Sequence, residues 1–144
     1  MNRSRPAASE TPTEVATIES QKTALQIAQL ALDKKATDLV VLDIRPLAAY
    51  TEFVVVCSGS SDRQVAALAQ SIDKSMSQAG VKCRGIEGKE SGRWVLMDYG
   101  DVVVHVFYDP IRHLYDIEGL WPDAGNVKVP GYDRKRDVGY AQFA

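Results

Sequence analysis

Four groupings of residues in this 144-residue chain could do chemistry. Gly59-Ser60 stands where an apolar run gives way to a helical one, the setting in which nucleotidyltransferases hold a nucleotide phosphate on the N–H groups of a helix start. Asp98 and Asp101 flank a turn and could share acid–base work. His105 and His113 could join Cys57 or Cys83 around zinc, and Ser60, His105 and Asp98 could be assembled into a nucleophilic set.

Each grouping lacks a part. Phosphoryl transfer needs clustered carboxylates to hold Mg²⁺; after Gly59-Ser60 there is only Asp62, spent near the helix start, and the Val81–Ile86 run has no acid before Glu87. Asp101 in a Gly-containing turn has a sufficient structural reason, whereas Asp98 stays open between turn and site. No two of the His and Cys residues stand at ligand spacing on one element. Ser60 lacks the G-x-S-x-G elbow, since only Gly59 precedes it and Asp62 follows. No catalytic set, metal or cofactor is expected. An enzyme that transfers or removes a nucleotide or phosphate at the Gly59-Ser60 turn is the alternative to a binding protein.

The elements that must position these residues centre on Arg93–Tyr108, RWVLMDYGDVVVHVFY. Two apolar runs meet at Gly100-Asp101, a hairpin signal. With these two residues as the loop, Tyr99 lies opposite Val102, Met97 opposite Val104 and Val95 opposite Val106, which makes one face almost wholly apolar. The period of two then gathers Trp94, Leu96, Asp98, Val103, His105 and Phe107 on the other face. A Trp, a Phe, a His and a carboxylate suit a contact surface; a second helical layer, with His105 a satisfied core histidine, is the competing reading, and both stay open.

Around the hairpin the chain reads as follows. Residues 1–17 are a tail too poor in large apolar groups to repay ordering. Ile18–Lys35 is a helix with a broad apolar stripe. Asp38–Ile44 and Phe53–Ser58 are strands joined too closely for a crossover helix, hence antiparallel neighbours, the second covered on both faces. Ser61 and Gln64 form a capping box that opens a helix over 62–79, with Val65, Leu68, Ala69, Ile72 and Met76 inward and Gly80 as its stop. Val81–Ile86 is a strand completing a right-handed β-α-β unit. Asp109, as cap, and Pro110 start a helix running to about Glu118, with Ile111, Leu114, Tyr115 and Ile117 on its apolar side. This predicts a single α/β domain over 18–122: a mixed five-stranded sheet with helices, in the order α-β-β-α-β-β-β-α. Residues 123–144 form a mostly irregular extension whose mixed charges, Asp133 to Asp137, read as solvated.

The totals narrow the function. A chain of this length buries roughly 68% of its unfolded surface without disulfides or a structural metal. A formal charge of -2 and a pI near 5.7 disfavour broad phosphate binding and suit a basic protein partner. Cys57 and Cys83 inside apolar runs suit a reduced, cytoplasmic setting. No run approaches a membrane span, and the first twenty residues lack the apolar block of a signal peptide.

Gly59-Ser60-Ser61-Asp62-Arg63-Gln64-Val65, Glu87-Gly88, the block from Trp94 to Phe107, Arg112, Tyr115-Asp116-Ile117-Glu118 and Leu120-Trp121 together closely resemble the ribosomal silencing factor family, also called Iojap-like. The resemblance covers about residues 20–124, and W-x-L-x-D-Y-G-D-V-x-V-H-V is its most specific part. It implies a nucleotidyltransferase-like fold without the catalytic acids and a non-enzymatic role. Members of the family bind large-subunit ribosomal protein fourteen and block joining of the small and large subunits when nutrients are scarce. Organellar relatives assist large-subunit assembly, and free members often form homodimers. The expected contact set is Trp94, Leu96, Asp98, Val103, His105 and Phe107, with Tyr99 and Asp101 reaching past the sheet edge from the hairpin tip.

Overall fold

A computed structural model describes residues 12–48 and 50–134. The elements in chain order are α1 (Pro12–Asp33), β1 (Thr37–Asp43), β2 (Phe53–Gly59), α2 (Asp62–Gln78), β3 (Gly85–Glu87), β4 (Trp94–Asp98), β5 (Val102–Tyr108), α3 (Asp109–Tyr115), a 3-10 turn (Ile117–Leu120) and β6 (Gly125–Asn126).

The sheet has six strands in the order β3-β4-β5-β2-β1-β6, one more than expected. β2 and β5 run parallel at its centre, and all other neighbours are antiparallel. All seven residues of β2 are buried, as a strand covered on both faces requires. α1 and α2 cover one face, over a core that includes Ile27, Phe53, Val55, Leu68, Ile72, Met97 and Val104. α3, the 3-10 turn and the chain after it cover part of the other, over Val40, Leu42, Val54, Val56 and Phe107.

α2 keeps its predicted span and inward face: Val65, Leu68, Ala69, Ile72 and Met76 are all buried. Its cap is not a full reciprocal box. Ser61 Oγ accepts the Gln64 N–H at 3.0 Å, but the Gln64 side chain accepts from Ser60, one residue before the cap. α1 starts at Pro12, so residues 12–17, expected in the tail, are helical; residues 1–11 lie outside the described residues. It ends at Asp33, two residues before the expected end at Lys35. Lys35 there adopts φ 72, and the Ala36 N–H reaches back to Ala31 O while the Lys35 N–H reaches Leu32 O, the double return of a Schellman motif.

The strand expected over 81–86 is only Gly85–Glu87, at the sheet edge. It is parallel to β2, as a β-α-β unit demands, but β4 and β5 lie between the two. α3 stops at Tyr115, short of Glu118, because Asp116 turns left-handed at φ 47. Tyr108, not Asp109, holds its cap position, without a side-chain bond.

The extension is also less irregular than expected. β6 pairs with β1, and Val129 joins the core. A break in the β1–β2 register between Thr37 and Val40 frees backbone groups at Asp38 and Leu39. The Leu39 N–H donates to the Tyr132 hydroxyl at 2.9 Å, and Arg112 Nη1 donates to Asp38 O. The freed groups are thus satisfied from residues far along the chain.

Candidate partner-binding cleft

The β4–β5 hairpin has the predicted register, with Leu96 opposite His105 and Asp98 opposite Val103. Gly100, at φ 86, is the only one of the two loop residues with positive φ, the geometry of a type II′ turn. Asp98 Oδ1 accepts the Gly100 N–H at 2.7 Å, and the Tyr99 N–H donates to Val102 O at 2.9 Å. Asp98 therefore has a structural duty in the turn while its carboxylate stays half-buried on the second face.

On that face Trp94 stacks on Phe107, with centroids 4.9 Å apart, and touches Tyr115 at 5.1 Å. Its indole N–H donates to His105 Nδ1 at 3.0 Å. Phe107 is fully buried, and His105 and Val103 are 7% and 8% exposed, whereas Trp94, Leu96 and Asp98 are half-buried. The second helical layer is present over only part of the face. A layer of α3 and the 3-10 turn seals the Phe107 end, and the rest opens into a cleft of about 330 Å³. Its floor is Val103 and His105, Trp94, Leu96 and Asp98 form one side, and Tyr50, Ile117, Leu120 and Trp121 complete it. Tyr50 is 65% and Leu120 70% exposed, so the rim carries apolar surface in contact with solvent.

Burial pushes the His105 imidazole down to about 4, which keeps it neutral near pH 7. A neutral histidine among aromatic rings is suited to packing and hydrogen bonding rather than to acting as a cation.

Tyr99 and Asp101 do not line this cleft. Tyr99 is 8% exposed in the core on the α1–α2 side, as alternation from Asp98 requires, and burial raises its hydroxyl pKa. Asp101 accepts from Ser20 Oγ at 3.1 Å and so ties the hairpin tip to α1. Phe107 supports Trp94 from beneath and offers no surface of its own.

The residue that composition and periodicity missed is Arg112. It is 2% exposed on α3, with Nε donating to Glu118 Oε1 at 2.8 Å and Nη1 to Ser58 Oγ at 2.9 Å. Arg134 pairs with Asp38 and Glu118, linking the extension to the same cluster. Burial would raise the Glu118 pKa, but Arg112 and Arg134 outweigh it and hold the carboxyl below its usual range. This cluster fastens the 3-10 turn, and hence Ile117 and Leu120, over the sheet. Only the presence of Arg112 among the residues of the family resemblance pointed to it.

The other chemical groupings are spent or separated. The Ser60 N–H and hydroxyl both donate to Gln64 Oε1, at 2.6 and 2.8 Å, so donors that could cradle a phosphate are occupied. Ser60 lies four residues beyond the Val56–His105 pair on the parallel ladder, roughly 13 Å at 3.3 Å per residue. Cys57 is buried, with its thiol pushed up to about 12. Among the described residues no group of His, Cys, Asp and Glu is placed to hold a metal.

Comparison with known proteins agrees with the resemblance. The family model described as "Ribosomal silencing factor during starvation" matches residues 17–142. The ribosomal silencing factor RsfS of Halalkalibacterium halodurans is 41% identical over 113 residues, covering 78% of this chain and 97% of that protein. A crystal structure of a Chromobacterium violaceum protein superposes with a TM-score of 0.69 at 40% identity, over 77% of this chain and 95% of the other. The mouse protein named "Mitochondrial assembly of ribosomal large subunit protein 1" is 31% identical over 100 residues, 66% of this chain and 43% of that one. A family match over most of the sequence, with a relative so similar across nearly its full length, leads to one conclusion: this chain belongs to the ribosomal silencing factor family.

Proposed function

We propose that this protein binds the large ribosomal subunit, through large-subunit ribosomal protein fourteen, and blocks joining of the small subunit by occupying the surface where the two would meet. Family membership supports the ribosome-associated silencing role. The observation that carries the finer reading is the half-open cleft, whose aromatic anchor, apolar rim and single carboxylate have the composition of an interface centre for a basic protein. Trp94, Leu96, Asp98, Val103 and His105 are its contact residues, extended by Tyr50, Leu120 and Trp121.

An interface of about 800 Å² per partner is sufficient for a stable complex, and bulk then excludes the competing subunit without any bond being made or broken. The nucleotidyltransferase-like scaffold serves here as a frame for the hairpin, and the occupied donors at Ser60 do not favour the enzymatic alternative. No helix among the described residues is long and apolar enough to cross a membrane. Membership of a ribosome-associated family supports a place in the cytoplasm. The name of the mouse relative supports a further part in large-subunit maturation. A homodimer of the free chain would bury the apolar rim around Tyr50 and Leu120 until the ribosome competes for it. Gradient sedimentation tests the reading: the purified chain should migrate with isolated large subunits and not with joined ribosomes.

A further inference from the structure

The cleft has polarity as well as shape, and this follows from one hydrogen bond. An indole nitrogen can only donate, so the 3.0 Å contact between Trp94 Nε1 and His105 Nδ1 requires Nδ1 to carry no proton. A neutral imidazole with a bare Nδ1 has its proton on Nε2. No described residue accepts that proton, although His105 is only 7% exposed and lines the cleft. The ring has little freedom to turn, because Trp94 holds one edge and Phe107 lies nearly parallel to it, at 13° and 6.1 Å.

We infer that His105 presents Nε2–H as a fixed donor in the floor of the cleft and selects a partner protein segment that brings an oxygen acceptor there and a cationic side chain to Asp98. The inference rests on the reading of the cleft as the docking face. Leu96 pairs with His105, and Asp98 lies two residues further along the same strand, so His105 and Asp98 are diagonal neighbours whose Cα atoms are roughly 7–8 Å apart. Asp98 Oδ1 is engaged by Gly100, which leaves Oδ2 for the visitor. A polypeptide loop meets this spacing with a backbone carbonyl and a nearby Lys or Arg, while its apolar side chain fills the space between Trp94, Leu96 and Val103. An RNA strand offers acceptor oxygens too, but its phosphates would face Asp98 in a chain of net charge -2.

The tautomer can be read directly by ¹⁵N NMR of the histidine-labelled full-length chain. His105 should show a bare Nδ1 and a protonated Nε2 near pH 7; the opposite assignment overturns the inference whatever the chain binds. The docking part is tested on purified large ribosomal subunits. His105→Asn keeps an acceptor close to the Nδ1 position but has no donor at the far end, and should weaken binding about tenfold by leaving the partner's acceptor unpaired. His105→Gln, which can place an amide N–H near the Nε2 position, should bind within about threefold of the wild type. Near-UV circular dichroism, to which Trp94 and Trp121 both contribute, should be unchanged in His105→Asn. Wild-type affinity in His105→Asn, or equal loss in both variants, overturns the role of the donor. Equally tight, equally His105-dependent binding to protein-stripped large-subunit RNA overturns the polypeptide occupant. A wild-type chain that fails to bind subunits refutes the proposed function instead, and leaves the tautomer result to be judged alone.

Discussion

Trp94 and His105 are diagonal neighbours across the β4–β5 ladder, joined by an indole N–H to Nδ1 bond of 3.0 Å with their rings 5.9 Å apart at 40°. The bond and the stack on Phe107 hold a large aromatic side chain half out of the core in one orientation. An anchor fixed in advance loses little conformational freedom on docking, which is the advantage of a rigid binding site over a mobile one.

Leu96 lines the cleft beside Trp94 but takes no part in its ring contacts, so it separates binding from folding. Leu96→Glu should unfold cooperatively within about 1 kcal/mol of the wild type, yet bind large subunits at least a hundredfold more weakly, as expected for a charge buried unpaired in an interface. Trp94→Ala should lose both properties, costing about 2–3 kcal/mol of stability because its stack with Phe107 and Tyr115 goes with it. Urea unfolding and sedimentation of the same preparations check the separation.

Asp98→Asn retains an oxygen to accept the Gly100 N–H and removes only the charge. The hairpin should therefore stay intact while affinity for the large subunit falls, more at low salt than at high, because a charge in contact with a basic partner is screened as ionic strength rises. Affinities measured across a salt series check this; a loss independent of salt would assign Asp98 to packing.

His105 gives the fold a specific acid sensitivity. Its imidazole titrates at about 4 when buried and near 6.5 when unfolded, so between these values the unfolded chain binds the additional proton. The stabilisation is fully present above pH 6.5 and is lost as pH falls towards 4. The gap between the two values corresponds to roughly 3 kcal/mol. The unfolding free energy of His105→Gln should fall less steeply over that window than that of the wild type, in parallel denaturant titrations.

The Arg112 cluster predicts a contrast between two arginines. Arg112→Ala should cost about 3–5 kcal/mol, because it leaves Glu118, Ser58 and the Asp38 carbonyl without their buried donor. Arg134→Ala should cost about 1 kcal/mol or less, since that side chain is 42% exposed and solvent screens its pairs. Thermal unfolding of the two variants checks the order, and only Arg112→Ala should also disturb the cleft through the 3-10 turn.

Local pattern was enough to read the hairpin register, the burial of β2 and the inward face of α2, because each is set by an unbroken period of two or 3.6. It could not read what depends on distant residues. β6 has two residues and exists because β1 offers a free edge. Leu114 and Tyr115 lie on the exposed side of α3, 73% and 56% exposed, because the inward position on that seven-residue helix belongs to Arg112, whose partners come from β1, β2 and the 3-10 turn. The six residues of the second face were legible from alternation alone. That Tyr99 sits in the opposite core was implicit in the same alternation, but its place beside the turn favoured reading it as a surface residue. The half-covering of the face by the 3-10 turn had no local signal.

The action we propose for this protein is occupation of a surface of the large subunit. Its most direct test is a joining assay on sucrose gradients, with purified large and small subunits and increasing amounts of the chain. Wild-type protein should sediment with the large subunit and lower the yield of joined ribosomes in proportion to its occupancy, while Leu96→Glu should do neither. Undiminished joining at full occupancy of the large subunit would contradict it.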